Sequence, residues 1–174
     1  MAGVRVFIAS SLDGFIAGDD GDLSWLPPAD PSGEDYGYGA FMDDTAAIVM
    51  GRGTYDVAAS FDPWPYGETP VFVATSRPLA RATETVHAIH GSPAELLAAV
   101  RSRTSGAIYL DGGALIRSFL GDELIDELTI TVVPVILGSG IPLFAGTAAR
   151  RRLRLLSATP YPSGLVQLRY EPSP

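Results

Sequence analysis

Twice in this chain, a short apolar run stops at a glycine and passes directly into a segment with helical spacing. The first run, residues 46–50, stops at Gly51, and the second, residues 107–110, is followed by Asp111 and Gly112. A buried strand that turns into a helix produces this pattern. Because strands that alternate with helices usually pair in parallel, the pattern predicts an α/β fold.

Each of these strand–helix junctions is a candidate anion site. The first N–H groups of a helix have no partner within the helix, and the helix dipole favours a negative charge beside them. Glycine lets a phosphate approach the backbone, and Arg52 adds a cation with a forked array of donors. The alternative, a turn glycine beside a solvated arginine, stays open because such junctions are common.

The rest of the chain supplies the other elements of a single domain over residues 1–174. Six further segments are rich in strand-forming residues and two have helical spacing: strands at residues 4–10, 71–74, 85–89, 127–137, 153–159 and 165–170, and helices at residues 34–45 and 92–103. The prediction is α/β, with about eight strands in a mostly parallel mixed sheet, flanking helices and a C-terminal antiparallel hairpin.

Several loops follow strands in a way that favours one common ligand. In parallel sheets, ligands bind at the carboxyl ends of the strands. The loop after Ser10, the junctions at Gly51 and Gly112, and the segment after Thr75 all follow strands, so we expect them to converge. The short apolar run 15–17 predicts a loop that leaves the first strand and returns to it.

Composition excludes several kinds of chemistry. The chain has no lysine and no cysteine, which excludes Schiff-base catalysis, a phosphate-binding lysine, disulfides and thiolate chemistry, and no metal site is predicted. Residues 1–68 hold twelve carboxylates against two arginines, a balance of −10, whereas residues 69–174 hold eight against ten, a balance of +2. The net charge of −8 disfavours a nucleic-acid partner. Since no apolar run could span a membrane and no signal sequence is visible, we expect a cytoplasmic protein.

Five segments, in order, carry a resemblance to a known family: residues 10–17, 50–55, 75–77, 111–114 and 134–144. In these segments the chain resembles the dihydrofolate reductase-like superfamily. Within that superfamily it is similar to the reductase domain of riboflavin biosynthesis, in its small stand-alone bacterial form. The resemblance implies a dihydrofolate reductase-like fold and a reductase.

The resemblance also implies that NADPH binds along these segments. One end would border the nicotinamide, two helix N-termini would hold the phosphates, and hydroxyls with an arginine would take the adenosine 2′-phosphate. The residues implied in cofactor binding are Ala9, Ile16, Ala17, Gly51, Arg52, Gly53, Thr54, Thr75, Ser76, Arg77, Asp111, Gly112, Gly113 and Ala114. Because residues 71–82 contain no acid that would suit a ribose hydroxyl, we expect NADPH to be preferred over NADH.

The expected substrate is a pyrimidine- or pteridine-like heterocycle. Riboflavin-pathway reductases usually carry a lysine where this chain has Phe15, which puts a phosphoribosyl-aminouracil substrate in question. Dihydrofolate reductases place an acid on the helix after the first loop, which makes Asp30 the candidate catalytic acid here, with Glu34 and Asp35 as competitors. Candidate substrate-binding residues in the first loop and in an acidic flap over residues 19–31 are Ser10, Asp13 and Trp25.

Functions of different classes fit this pattern. The leading one is an NADPH-dependent reductase, most like 5-amino-6-(5-phosphoribosylamino)uracil reductase or dihydrofolate reductase. The alternatives are a non-catalytic NADP-binding or sensor domain and, more weakly, a flavin-binding module. Turnover of NADPH would separate an enzyme from a sensor. The long apolar run 127–137, together with the resemblance, also predicts a homodimer.

Overall fold

A mixed sheet of eight strands forms the centre of the protein. The computed structural model describes residues 3–27, 33–79, 84–145 and 150–173. The strands are β1 (Val4–Ser11), β2 (Phe15–Ala17), β3 (Thr45–Gly51), β4 (Val71–Ala74), β5 (Val86–Ile89), β6 (Ala107–Asp111), β7 (Glu127–Val133), β8 (Ile141–Pro142), β9 (Leu153–Pro160) and β10 (Val166–Pro172). The order in the large sheet is β5-β4-β3-β6-β1-β7-β10-β9.

The direction of the strands confirms the predicted topology. From β5 to β7 every neighbouring pair is parallel, and β10 and β9 then complete the sheet as an antiparallel hairpin. Because the parallel strands all point the same way, their carboxyl ends meet at one edge. That edge carries the loops that the sequence predicts to converge.

Four α-helices cover the two faces of the sheet: α1 (Tyr38–Asp43), α2 (Arg52–Ala58), α3 (Pro93–Arg101) and α4 (Gly113–Gly121). Helix α3 begins as the sequence predicts, because Ser92 and Glu95 form a reciprocal capping box at its N-terminus. Among the residues that the structure describes, no helix is both long and apolar enough to cross a membrane.

Two cores form on opposite faces of the sheet. On one face, Val6 and Ile108 pack with Ile116 and Phe119 of α4 and with residues of α3. On the other face, strands β3, β4 and β6 pack against Tyr55 of α2 and the residues of α1. The alternation of side chains along each strand therefore sends one set of apolar residues to each helical layer.

One local prediction is wrong in part, and the structure defines two others more closely. The predicted helix over residues 34–45 is only α1, since Gly37, in a left-handed conformation with φ of 80°, precedes its first turn. The run 127–137 stops being a strand at Val133, because Pro134 has no N–H to continue the ladder. The run 15–17 turns back beside the end of β1, where the backbone N of Phe15 donates to the hydroxyl of Ser11 at 2.9 Å. It forms a separate two-stranded antiparallel sheet with β8.

Candidate cofactor and substrate site

The two strand–glycine–helix junctions lie side by side at the carboxyl edge of the sheet. Met50 at the end of β3 is the register partner of Asp111 at the end of β6. A Cβ atom on Gly112 would lie 2.7 Å from Oγ1 of Thr54 and 3.5 Å from the backbone N of Gly51, and Gly112 has a φ of +98°. Only glycine fits such a close approach in that conformation.

The first junction leaves open space beside its backbone. A Cβ atom on Gly51 or Gly53 would meet nothing within 4 Å, which is the room that a ligand group needs to approach the chain. At the second junction, no side chain caps the N-terminus of α4, and its N-cap residue is Gly112. Glycine backbone with free space beside it therefore fits the phosphates of a dinucleotide.

Arg52 links the first junction to the loop that follows β4. Its Nε donates to Asp56 at 2.7 Å, and its Nη1 donates to the carbonyl oxygen of Pro78 at 3.0 Å. In the same loop, the backbone N of Arg77 donates to Oγ1 of Thr75 at 3.1 Å, and Ser76 and Arg77 are exposed. Arg52 thus holds Thr75, Ser76 and Arg77 close to the glycine junction.

The apolar end of the predicted cofactor site forms where β2 meets α4. A Cβ atom on Gly113 would lie 2.6 Å from Cδ1 of Ile16, so this glycine allows Ile16 to pack on the start of the helix. Arg117 of α4 donates to the carbonyl oxygen of Pro142 in β8 at 2.6 Å, and this hydrogen bond joins the two elements. Ala17 is buried, and Ala114 follows Gly113 in the first turn of α4.

Asp13 holds two loops together at this edge. Its carboxylate accepts hydrogen bonds from the hydroxyl of Ser11 at 2.6 Å and from the backbone N of Leu137 at 3.1 Å and of Gly138 at 2.8 Å. These bonds, that from Ser11 above all, lower the pKa of Asp13 to about 2. The structure therefore places Asp13 as a clamp between the β1–β2 loop and the loop after β7.

The other predicted substrate contacts have different positions. Ser10 is buried in β1, and Ala9 beside it is half-buried next to Thr131 of β7. Trp25 is half-buried, with its indole N–H donating to the carbonyl oxygen of Asp22 at 3.2 Å. The candidate acid Asp30 lies outside the described residues, so its catalytic role stays a prediction.

The two competing acids, Glu34 and Asp35, accept hydrogen bonds at the start of α1. The carboxylate of Asp35 accepts from the backbone N of Gly37 and of Gly39, at 2.8 and 2.9 Å, and that of Glu34 accepts from the backbone N of Tyr36 at 2.8 Å. These bonds lower the pKa of Asp35, and that from Gly39 contributes most. Both acids therefore organise the chain before the helix.

Asp111 is the acid that the structure brings to the site. The residue is only partly covered, but enough protein surrounds its carboxyl group that burial raises the pKa from 3.8 to about 6. The hydrogen bond from the backbone N of Gly112 opposes this change. The bond from the backbone N of Gly112 measures 2.7 Å. A carboxyl group with such a pKa holds a proton for part of the time near neutral pH.

An aromatic wall lies on the same face of the sheet as Asp111. Phe7 contacts the rings of Tyr38 and Phe41 at centroid distances of 5.5 and 4.9 Å, and Phe41 meets Tyr109 edge-on at 5.0 Å. Burial, helped by the charge of Asp111, raises the pKa of Tyr38 to about 12. Sequence reasoning missed this wall because its members come from β1, α1 and β6, and no local motif joins them.

Acidic and basic residues at the site do not form a metal centre. Across the described parts of the chain, no group of three or more histidine, aspartate or glutamate side chains could hold a metal ion. The residues that the structure does bring together are glycines, hydroxyls, arginines and one acid of raised pKa. Such a set suits a phosphate-bearing organic ligand.

The chain is similar to known proteins over most of its length. The profile of the RibD C-terminal domain family matches residues 2–167. A curated relative, the uncharacterized protein YwjB of Bacillus subtilis, is 36% identical over 167 residues, which are 95% of this chain and 95% of the relative.

Solved structures extend the comparison to the fold. A putative riboflavin biosynthesis protein from Shewanella sp. PV-4 is 35% identical, with a TM-score of 0.90 and 99% of each chain covered. Dihydrofolate reductase from Enterococcus faecalis, complexed with NADP(H) and RAB-propyl, is 17% identical, with a TM-score of 0.69 over 99% of this chain and 98% of that one. The second likeness confirms the predicted dihydrofolate reductase-like fold.

Proposed function

The chain belongs to the RibD C-terminal domain family, and on this premise we propose that it is an NADPH-dependent reductase of a pyrimidine- or pteridine-like heterocycle. One observation carries the proposal. The glycine junctions at Gly51 and Gly112 adjoin each other, and Asp111, an acid with a raised pKa, lies directly beside them. A dinucleotide site and a proton source thus share one edge of the sheet.

The cofactor side of the proposal rests on open backbone and an exposed arginine. The space beside Gly51 and Gly53 admits phosphates, and the uncapped start of α4 offers backbone N–H groups to them. Arg77, exposed at the end of the neighbouring loop, suits a 2′-phosphate. When bound, NADPH supplies a hydride, and the residues of the chain align donor and acceptor and exclude water.

The proton side of the proposal rests on Asp111. Hydride addition to the carbon of a C=N or C=O bond leaves the electron pair of that bond on nitrogen or oxygen, which then takes up a proton. A carboxyl group with a pKa of about 6 can donate that proton at neutral pH and be reprotonated by water afterwards. We therefore assign proton donation to Asp111, in addition to the cofactor contact that the resemblance implies for it.

The substrate side rests on the aromatic wall. A flat heterocycle gains contact area by packing against aromatic side chains, and Tyr38 is 37% exposed at this wall. Phe7, Tyr38 and Phe41 of the wall come from the acidic part of the chain, since residues 1–68 hold twelve carboxylates against two arginines. An uncharged ring system therefore fits this side of the site better than a strongly anionic one.

The experiment that tests the proposal separates binding from turnover. Calorimetry should detect NADPH binding to the purified protein, and the loss of reduced-nicotinamide absorbance should then identify a substrate in a panel of aminouracils, with and without phosphate, and dihydropterins. The Asp111→Asn variant keeps a side-chain oxygen that can accept a hydrogen bond, so it should retain NADPH binding and turn substrate over far more slowly. Absence of NADPH binding would refute the proposal, whereas binding without turnover across the whole panel would favour a sensor domain.

A further inference from the structure

Helix α1 carries Tyr38 and Phe41 of the aromatic wall, but it is too short to hold its own position. It has six residues, and its N-cap residue is Gly37, which has no side chain to accept a hydrogen bond from the first turn. The bonds from Gly37 and Gly39 to Asp35 are local, so they order this turn without fixing it on the sheet. Because isolated helices of this length are unstable in water, the position of α1 must come from contacts with the rest of the fold.

Strands β1 and β3 hold the C-terminal end of α1. Arg5 of β1 donates from Nη1 to Oδ2 of Asp44 at 2.7 Å, and its guanidinium carbon lies 4.8 Å from the ring centroid of Phe41. Oγ1 of Thr45 in β3 donates to the carbonyl oxygen of Phe41 at 2.8 Å. The other end of the helix, where Tyr38 lies, needs a contact of its own.

Gln167 of β10 supplies that contact from the sheet. The residue is buried, and its Nε2 donates to the carbonyl oxygen of Tyr36 at 2.9 Å and to Oγ1 of Thr131 at 3.1 Å. Thr131 of β7 is the register partner of both Gln167 and Ala9, so these three residues form one row across the sheet. Since Ala9 lies two residues after Phe7 on β1, the row is on the same face as the aromatic wall.

Tyr36 has a backbone conformation that a tyrosine rarely adopts. Its φ is 56°, in the left-handed region where a side chain is disfavoured, so the surrounding structure must hold it there. Its ring meets Tyr161 edge-on at a centroid distance of 4.8 Å, and its hydroxyl donates to Oγ of Ser163 at 3.4 Å. Because α1 begins only two residues later, the position of Tyr36 determines where Tyr38 enters the aromatic wall.

We propose that Gln167 is a positioning residue of the substrate site, which acts through the backbone of Tyr36 to hold Tyr38 and the aromatic wall in place. The inference rests on the substrate side of the proposed function, in which a heterocycle packs on this wall. An amide suits the task, because it offers two donors without bringing a charge into a buried place. If Gln167 only filled space in the core, an apolar side chain of the same length would serve equally well.

The test replaces Gln167 with methionine, which keeps the length of the side chain and removes both donors. The carbonyl oxygen of Tyr36 loses its partner, so the backbone amides of residues 37–43 should exchange hydrogen on the order of 10-fold faster. For a heterocycle that the protein reduces, KM should rise by a similar factor, whereas KM for NADPH should stay close to that of the wild type. A general structural defect would instead reduce the fraction of active protein, and so lower kcat without moving KM.

Two controls accompany this variant. Thr131→Val keeps the shape of the side chain and removes the second acceptor of the amide, but leaves the bond to Tyr36, so exchange in residues 37–43 should stay close to that of the wild type. Ser92→Ala, which removes the cap of α3, should lower stability without changing exchange in α1 or KM.

Two results would overturn the inference. One is exchange in α1 that Gln167→Met leaves unchanged or that Thr131→Val accelerates equally, and the other is a KM for the heterocycle that Gln167→Met does not move. Absence of NADPH binding would refute the proposed function instead. The exchange measurement needs no ligand, so it would still decide whether Gln167 positions α1.

Discussion

Replacing Asp111 with asparagine should stabilise the protein above neutral pH. Burial raises the pKa of this carboxyl from 3.8 to about 6, so the folded state holds the proton more tightly than the unfolded state. The free energy of unfolding should therefore fall as pH rises from about 4 to about 6, and stay low above that. At about 1.4 kcal/mol per pKa unit, the difference amounts to about 3 kcal/mol, which partial exposure reduces to about 1–2 kcal/mol.

The assay is urea unfolding of the wild type and Asp111→Asn across this pH range. Asparagine keeps a side-chain oxygen that can accept the bond from the backbone N of Gly112 but cannot ionise. The variant should be more stable than the wild type by about 1–2 kcal/mol near pH 8, and the two stabilities should converge near pH 4. Curves that stay parallel over the whole range would refute the assignment of a raised pKa.

Asp22 provides a control, because its pKa is shifted in the opposite direction to that of Asp111. The pKa of Asp22 is lowered, mainly by the hydrogen bond from the backbone N of Ser24, so this exposed acid stabilises the fold in its charged form. The stability that it contributes is present above its unfolded pKa and lost as pH falls through the folded value. Asp22→Asn should therefore leave the protein slightly less stable at neutral pH, whereas Asp111→Asn should make it more stable.

Three further substitutions test other parts of the structure. Arg77→Ala should weaken NADPH binding by about 10- to 100-fold and leave NADH nearly unchanged, because one charge-assisted pair is worth about 1.5–3 kcal/mol; equal losses by calorimetry would contradict this role. Asp13→Asn removes the charge of the clamp between two loops, so the amide of Gly138 should exchange hydrogen faster; unchanged exchange would contradict the clamp. Ser92→Ala removes the capping box of α3 and should cost about 1 kcal/mol in urea unfolding; an unchanged midpoint would show that the cap contributes little.

The parts of the fold that the sequence predicts well are those with local causes. The glycines at 51 and 112 mark where strands turn into helices, and proline after Ser92 marks the start of α3. The pairing of the short β2 could not be predicted from the local sequence, because its partner β8 is a distant segment. β8 follows β7 after residues 134–140, and the backbone N of Leu143 next to β8 donates to the carbonyl oxygen of Gly14 next to β2.

Some features of the candidate site can likewise be predicted from the local sequence, and others depend on distant segments. The position of the cofactor loops follows from strand direction, which the sequence reveals through alternating strands and helices. The raised pKa of Asp111 could not be predicted in this way, because burial by the surrounding protein causes it. No local sequence pattern predicts the burial of a carboxyl group by segments that lie far apart in the chain.

The pH dependence of turnover can decide whether Asp111 is the proton donor. Activity should fall as pH rises through about 6, since the group must carry its proton when the hydride is transferred. The two histidines lie elsewhere in the sheet. His87 is on β5 and His90 follows it, and the order β5-β4-β3-β6 puts two strands between β5 and Asp111. Asp111→Asn should therefore abolish the fall along with most of the turnover, and glutamine at both histidines should preserve it. A profile that moves with the histidine variants and not with Asp111→Asn would assign the proton to another group.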